Sequence, residues 1–169
     1  LALAVALAPS VFAGVNVRDH GAVGDGVADD TAAIKAALAQ AQHGLVVFPR
    51  GNYRITSTIE IQLPERGFTS LNGENGTGRV TMAGPGPAFR FVGTHNGSAG
   101  PTTFKPPVWE KERMPQIEGL EIVGAHEEAD GLEFVRCMQP TVHGVLIREV
   151  RHGIRITQRN RNVLISASH

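Results

Sequence analysis

A single cysteine, Cys137, in 169 residues excludes an internal disulfide, and no metal-ligand spacing surrounds it. It reads as a small core residue. The chain also lacks an excess of either charge. Sixteen acidic residues balance sixteen Lys and Arg, so the molecule as a whole is not built for nucleic acid or an anionic membrane. Aromatics are scarce at 5%, while there are 20 glycines and valine and isoleucine recur in short runs. That composition suits many short strands joined by tight turns. The length fits one domain with a real core.

Long apolar runs are missing too, apart from LALAVALAPSVFA at residues 1–13. This run ends in small residues, Val11-Phe12-Ala13, as the apolar region and cleavage site of a secretory signal peptide do. It is too short to span a bilayer. No Met and no basic segment precede it, so residues 1–13 are expected to be a partial signal peptide of an exported protein (secreted, periplasmic or on the cell surface). After its cleavage no membrane contact is expected. RNVLISASH, residues 161–169, ends on a strand with nothing to cover its edge. A fragment of a longer protein is the expectation.

Asp29-Asp30-Thr31 precedes AAIKAALAQAQ. An Asp at that position accepts from free first-turn N–H groups, and its charge suits the positive helix end. Ile34, Ala37, Leu38 and Ala41 make one narrow apolar face. Gly44 is the expected left-handed residue closing the helix. GLVVFP, YRI and TIEIQL follow with strand character, and Ile59, Ile61 and Leu63 alternate toward one side. Residues 64–116 are less regular. RVTM and FRFV read as strands, 97–107 as loop, and 109–113 as about one helical turn. Sequons at Asn75 and Asn96 would matter only in a eukaryotic secretory route.

From residue 117 one unit recurs: Gly119-Leu-Glu-Ile, Gly131-Leu-Glu-Phe, Gly144-Val-Leu-Ile, Gly153-Ile-Arg-Ile and Asn162-Val-Leu-Ile. The apolar pairs Leu120/Ile122, Leu132/Phe134, Val145/Ile147, Ile154/Ile156 and Val163/Ile165 each point to one face of a strand. Alternate units start at 119 and 144, 131 and 153, and 144 and 162. Repeats of about 20–25 residues mean a solenoid. Long amphipathic helices and a leucine-rich ladder are absent. Two or three short strands per turn give a parallel β-helix, with an antiparallel sandwich as the alternative. The expected layout is 1–13 signal segment, 14–116 cap and irregular coils, and 117–169 regular coils.

NVRDHGAVGDGVADDTAAIKAALAQA followed by GLVVFPRGNYRI resembles the N-terminal segment of the pectate lyase superfamily, most narrowly its rhamnogalacturonase/epimerase-type members. The match covers residues 15–63. His20 departs from it, standing where an aromatic is usual. The resemblance implies an all-β solenoid, a right-handed parallel β-helix whose open end is plugged by an α-helix. Asp30 is then the N-cap, Asp25 and Asp29 hold the turn, and Thr31 opens the helix. The rival is a calcium loop at Asp25, Asp29 and Asp30. Calcium wants six to eight oxygens, and the spacing is not an EF-hand. The loop also lacks the Lys-Ser/Thr of a phosphate-binding P-loop.

Such proteins include polysaccharide lyases, glycoside hydrolases, epimerases and non-catalytic fibres, so function must come from a site. A hydrolase needs two carboxyls across the scissile bond. A uronate lyase needs a base and positive charge, often calcium. Calcium would then belong to the full-length protein, since no metal site is expected in this span. His126, Glu127, Glu128 and Asp130 form either an acid/base cluster or a solvated loop. Glu121 and Glu133 face outward on different strands, with no pairing to argue. His143 and His152 occupy turn positions. Arginines crowd residues 136–161, and Arg148, Arg155 and Arg159 are the candidate grip on an acidic polysaccharide, because guanidinium forks match carboxylates. Leu146 and Leu164 face outward and are expected on the same repeating strand. The expected function is a secreted lyase or hydrolase with catalytic residues beyond 169. The alternative is a non-catalytic polysaccharide-binding or surface-fibre protein.

Overall fold

The computed structural model describes residues 14–98 and 100–169; the expected signal segment lies outside them. The chain opens with β1 (Val15–Asn16), a 3-10 turn at Val17–His20, β2 (Asp25–Asp29) and helix α1 (Thr31–Gln40). A first full coil follows: β3 (Leu45–Val47), β4 (Gly51–Ile55) and β5 (Ile59–Gln62), then the short helix α2 (Leu63–Arg66). The next coil is β6 (Ser70–Asn72), β7 (Gly78–Met82) and β8 (Gly86–Val92). A long excursion then holds a 3-10 turn at Pro101–Thr103 and a π-helical turn at Val108–Glu112. Two regular coils complete the chain: β9 (Gln116–Glu118), β10 (Leu120–Gly124) and β11 (Ala129–Val135), then β12 (Thr141–His143), β13 (Leu146–Arg148) and β14 (His152–Thr157). β15 (Leu164–Ser166) comes last.

Every pairing is parallel, and each strand lies on its equivalent one coil earlier. Sheet A runs β1-β3-β6-β9-β12-β15, sheet B runs β2-β4-β7-β10-β13, and sheet C runs β5-β8-β11-β14. This is a three-sided parallel β-helix, the expected fold. Three strands per coil explain the uneven repeat. Ile122 pairs with Ile147, and Leu132 with Ile154, as the spacing requires. The last unit departs from it: Ile165 pairs with Val142 in sheet A. Leu146 and Leu164 therefore lie on different sheets, B and A, and not on one repeating strand. The step from 144 to 162 is not one coil, because Gly144 turns the chain from β12 into β13 and Asn162 turns it from β14 into β15, two different corners.

Register stacks like on like in the core. Tyr53, Val80, Ile122 and Ile147 align in sheet B. Ile61, Phe91, Phe134 and Ile156 align in sheet C. Phe91 and Phe134 stack at 5.4 Å between ring centres. Each such side chain, once buried, contributes roughly 1.5–3 kcal/mol. On the last strands the cover thins, with Ile156 and Ile165 about half exposed.

Two glycine roles recur. Gly119 and Gly144 turn the corner after sheet A with φ of 57° and 61°, a region costly for side chains with a Cβ. Gly131 instead lies inside β11, where a Cβ would come within 2.3 Å of the Gly153 carbonyl oxygen. Its smallness lets two coils meet.

Helix α1 covers the first coil with Ile34, Ala37, Leu38 and Ala41, all buried. It closes differently from expectation. His43, at φ 53°, takes the left-handed conformation and Gly44 does not. The His43 N–H donates to the Arg66 carbonyl at 3.1 Å and its ring meets Phe68 edge-on, so contacts with the α2 segment hold it there.

Candidate functional site

The aspartates of the opening loop are spent on backbone. The Asp25 carboxylate accepts from the N–H groups of Val27 and Ala28 at 2.8 and 2.9 Å, and the first of these bonds, then the second, holds its carboxyl below the usual range. Asp29 caps α1. Its Oδ1 accepts from the Thr31 N–H at 3.0 Å and the Thr31 hydroxyl at 2.5 Å, and its Oδ2 accepts from Thr56 at 2.6 Å. Asp30 occupies the N-cap position, but its side chain makes no cap bond. It is buried and turns back to accept from Val23 and Gly24 N–H at 2.6 and 3.1 Å. The expected Asp30 side-chain cap is thus corrected to Asp29, because the loop amides claim Asp30 first. The loop works as a turn, its carboxylates occupied by protein donors.

The outward face of sheet C carries a charge ladder across four coils. Glu60 pairs in register with Arg90, Arg90 with Glu133, and Glu133 with Arg155. Arg90 donates to Glu133 at 2.6 Å and lies 3.4 Å from Glu60. Hydrogen bonding to Glu133 is the main reason its guanidinium is held more firmly protonated than usual. Three residues before Glu133, near the start of β11, Asp130 is fully covered. Arg151 grips it with two bonds of 3.2 Å, His152 reaches it at 2.9 Å and Arg155 at 3.4 Å. Burial alone would raise the Asp130 carboxyl. The bonds from Arg151 and His152, with their charge, outweigh it and hold the carboxyl below the usual range. A carboxylate kept ionised in this way does not suit the proton-donor role, which needs a raised pKa. On sheet B, Glu121 is lowered by the same balance: burial opposes, while Arg79 and Arg148 prevail.

At the C-terminal edge of sheet C the excursion after β8 folds against the corner after β14. Between them lies a cleft of about 420 Å³ lined by His95, Gly97, Ser98, Arg159, Asn160, Arg161 and Asn162. Asn160 holds the corner: its amide donates to the carbonyls of Phe134 and Thr157, and its oxygen accepts from the Cys137 N–H. That leaves the flanking Arg159 and Arg161 side chains free of the corner. Arg161 lies over the Phe104 ring at 4.3 Å and donates to the Ser98 carbonyl. Among the described residues neither Arg159 nor Arg161 has an acidic partner. His95 is 3% exposed. Its Nδ1 meets the Arg159 carbonyl at 2.7 Å, and its Nε2 has no hydrogen-bond partner among the described residues. A buried polar atom so placed costs about 1–3 kcal/mol.

The three candidate arginines are thus dispersed. Arg148 sits on sheet B beside Glu121 and Glu149, Arg155 belongs to the sheet C ladder, and Arg159 lines the cleft. Glu121 and Glu133 each pair with arginines on both neighbouring coils, a pairing invisible without the register. Asp130 leaves the loop of His126, Glu127 and Glu128, which is exposed, and joins His152 from the next coil. His95 carried no sequence signal, since it lies 64 residues from the Arg159 carbonyl it meets; Arg161 was visible only as one of the crowded arginines. Among the described residues no group of three or more His, Cys, Asp or Glu is arranged to hold a metal.

The coil stack and the helical plug define a three-sided parallel β-helix with a capped N-terminal end. Residues 14–98 match the family described as rhamnogalacturonase A/epimerase, pectate lyase-like, and the chain belongs to it. The mannuronan C5-epimerase AlgE1 of Azotobacter vinelandii is 54% identical over 48 residues, 27% of this chain and 3% of AlgE1. Among solved structures, the A-module of the A. vinelandii epimerase AlgE4 superposes with a TM-score of 0.65 at 23% identity, over 90% of this chain and 43% of the module. The Streptococcus pneumoniae surface adhesin PfbA superposes with a TM-score of 0.62 at 20% identity, over 92% of this chain and 38% of the adhesin. The likeness to those two structures is one of fold. The chain spans only a small part of its curated relatives.

Proposed function

We propose that this chain is the N-terminal part of an exported carbohydrate-active β-helix protein that grips an acidic polysaccharide along sheet C and in the adjoining cleft. Arg159 carries the reading. It is exposed, lines a polar cleft and lacks an acidic partner among the described residues. Arginine with unspent donors suits a sugar carboxylate. Arg155 is a secondary contact, already shared with Asp130 and Glu133; Arg148 lies on sheet B beside Glu121, outside this surface. The relatives' mannuronan, a polymer of uronic acid, is consistent with this substrate class.

The reaction we favour is elimination or hydrolysis, performed by residues beyond 169, with calcium a candidate cofactor of the longer protein. Epimerisation joins these, because it removes the same type of proton beside a carboxylate as elimination does. A non-catalytic binding role is the second reading, favoured by the commitment of Asp130 and Glu133 to arginine bonds.

The gene product incubated with a panel of polyuronates, with and without calcium, separates these outcomes by mass spectrometry. Fragments with an added water mean hydrolysis. Unsaturated fragments one water lighter mean elimination. Unchanged mass with altered ring configuration by NMR means epimerisation. Binding without any change supports the second reading, and neither binding nor turnover rejects the proposal.

A further inference from the structure

We propose that the cleft is a subsite for one uronate residue, with His95 as its hydroxyl-reading group and Arg159 and Arg161 as its carboxylate clamp. The inference rests on the acidic-polysaccharide reading and adds which atoms select the sugar.

The geometry at His95 fixes the hydrogen-bond roles. A backbone carbonyl can only accept, so Nδ1 is the donor in its 2.7 Å contact with Arg159. Nε2 of the neutral ring is then an acceptor, and no described residue offers it a proton. The ring does not wander, because Phe104 packs on it at 5.1 Å and the His95 N–H is tied to the Arg136 carbonyl at 3.0 Å. Nε2 is closed to solvent, so a sugar hydroxyl reaches it only by displacing part of the cleft wall; there it meets a fixed acceptor, to which a carboxylate has no proton to give. The carboxylate belongs on the arginines. Arg161 is oriented by the Phe104 ring and by Ser98, while Arg159 shares its residue with the carbonyl that orients His95. One backbone segment therefore couples the hydroxyl reader to the charge reader.

The space agrees. A cleft of about 420 Å³ falls within the roughly 300–1,000 Å³ of small-ligand sites. A second cavity of about 120 Å³, bounded by Thr94, Thr103 and Val108, adjoins it at His95. The cleft is assembled from segments of two different coils, so it exists only when the excursion after β8 is docked.

Calorimetric titration of the whole protein with a tetrauronate and with the matching neutral tetrahexose tests this. His95→Asn keeps a donor where Nδ1 stands and removes Nε2. It should weaken tetrauronate binding about tenfold, the loss of roughly one hydrogen bond, measured at a temperature well below the melting point of each variant. His95→Gln, which returns an acceptor near the Nε2 position, should recover part of that loss. Arg159→Gln should erase the preference for the uronate over the neutral sugar. If wild type binds the tetrauronate but His95→Asn and Arg159→Gln bind it equally well, the subsite is overturned and the broader reading stands. If wild type binds no uronate, the broader reading fails and the subsite falls with it.

Discussion

Asp130 and His152 stand side by side on adjacent coils of sheet C, 22 residues apart in the chain and 2.9 Å apart in space. Arg151 and Arg155 close round the same carboxylate. The carboxylate is fully covered, yet the cations covering it are themselves partly in water. Its worth is thereby reduced from that of a wholly buried ion pair.

Asp130→Asn keeps the shape and removes the charge. We expect a loss of about 1.5–3 kcal/mol at pH 7, the range for hydrogen bonds to charged groups, read from urea unfolding. A loss confined to a few tenths would show that solvent already satisfies the arginines.

The pH dependence has a definite sign. Asp130, Glu121, Asp25 and Asp29 all lie below their usual range in the folded chain. The unfolded chain therefore binds more protons on acidification. Their stabilisation is complete above the ordinary carboxylate range near pH 4 and is lost as the pH falls through the folded values. The stability gap between wild type and Asp130→Asn should shrink from pH 7 to about pH 2. A gap that stays constant would place the effect outside the charge.

At the helical cap, Asp29→Ala should cost about 1 kcal/mol through the lost first-turn bond. Asp30→Ala should cost about 1–3 kcal/mol by stranding the amides of Val23 and Gly24. Thermal melts distinguish the two, and equal stability of Asp30→Ala and wild type would show that water replaces the buried carboxylate.

Burial pushes the Cys137 thiol up to about 12, and the side chain is covered. A thiol reagent at pH 8 should label native protein negligibly and label it fully in denaturant, since only thiolate reacts. Rapid labelling of the native chain would mean that the corner opens.

In the core, Phe134→Ala removes one half of the stack with Phe91. A loss of about 3–5 kcal/mol is expected, measured by denaturant unfolding. A loss below 1 kcal/mol would mean that the coils collapse into the cavity.

Much of this protein was legible as a string. The alternation Leu120/Ile122 and Leu132/Phe134 fixed which side chains point inward, because strand periodicity is local. The helix was readable from the spacing of Ile34, Leu38 and Ala41, and the glycines at 119 and 144 marked real corners for a backbone reason. The opening loop also revealed that its aspartates hold a turn, though not which one caps. Asp29 and Asp30 are adjacent and chemically alike, and only the position of the Val23 and Gly24 amides separates them. The tertiary structure alone decided the third strand per coil, the Glu60–Arg90–Glu133–Arg155 ladder and the company of Asp130. Each joins residues about 20 to 45 positions apart through a register that depends on corner lengths. His95 is the furthest case. Its neighbours come from coils two turns apart, and its role rests on one atom that the fold buries without a partner.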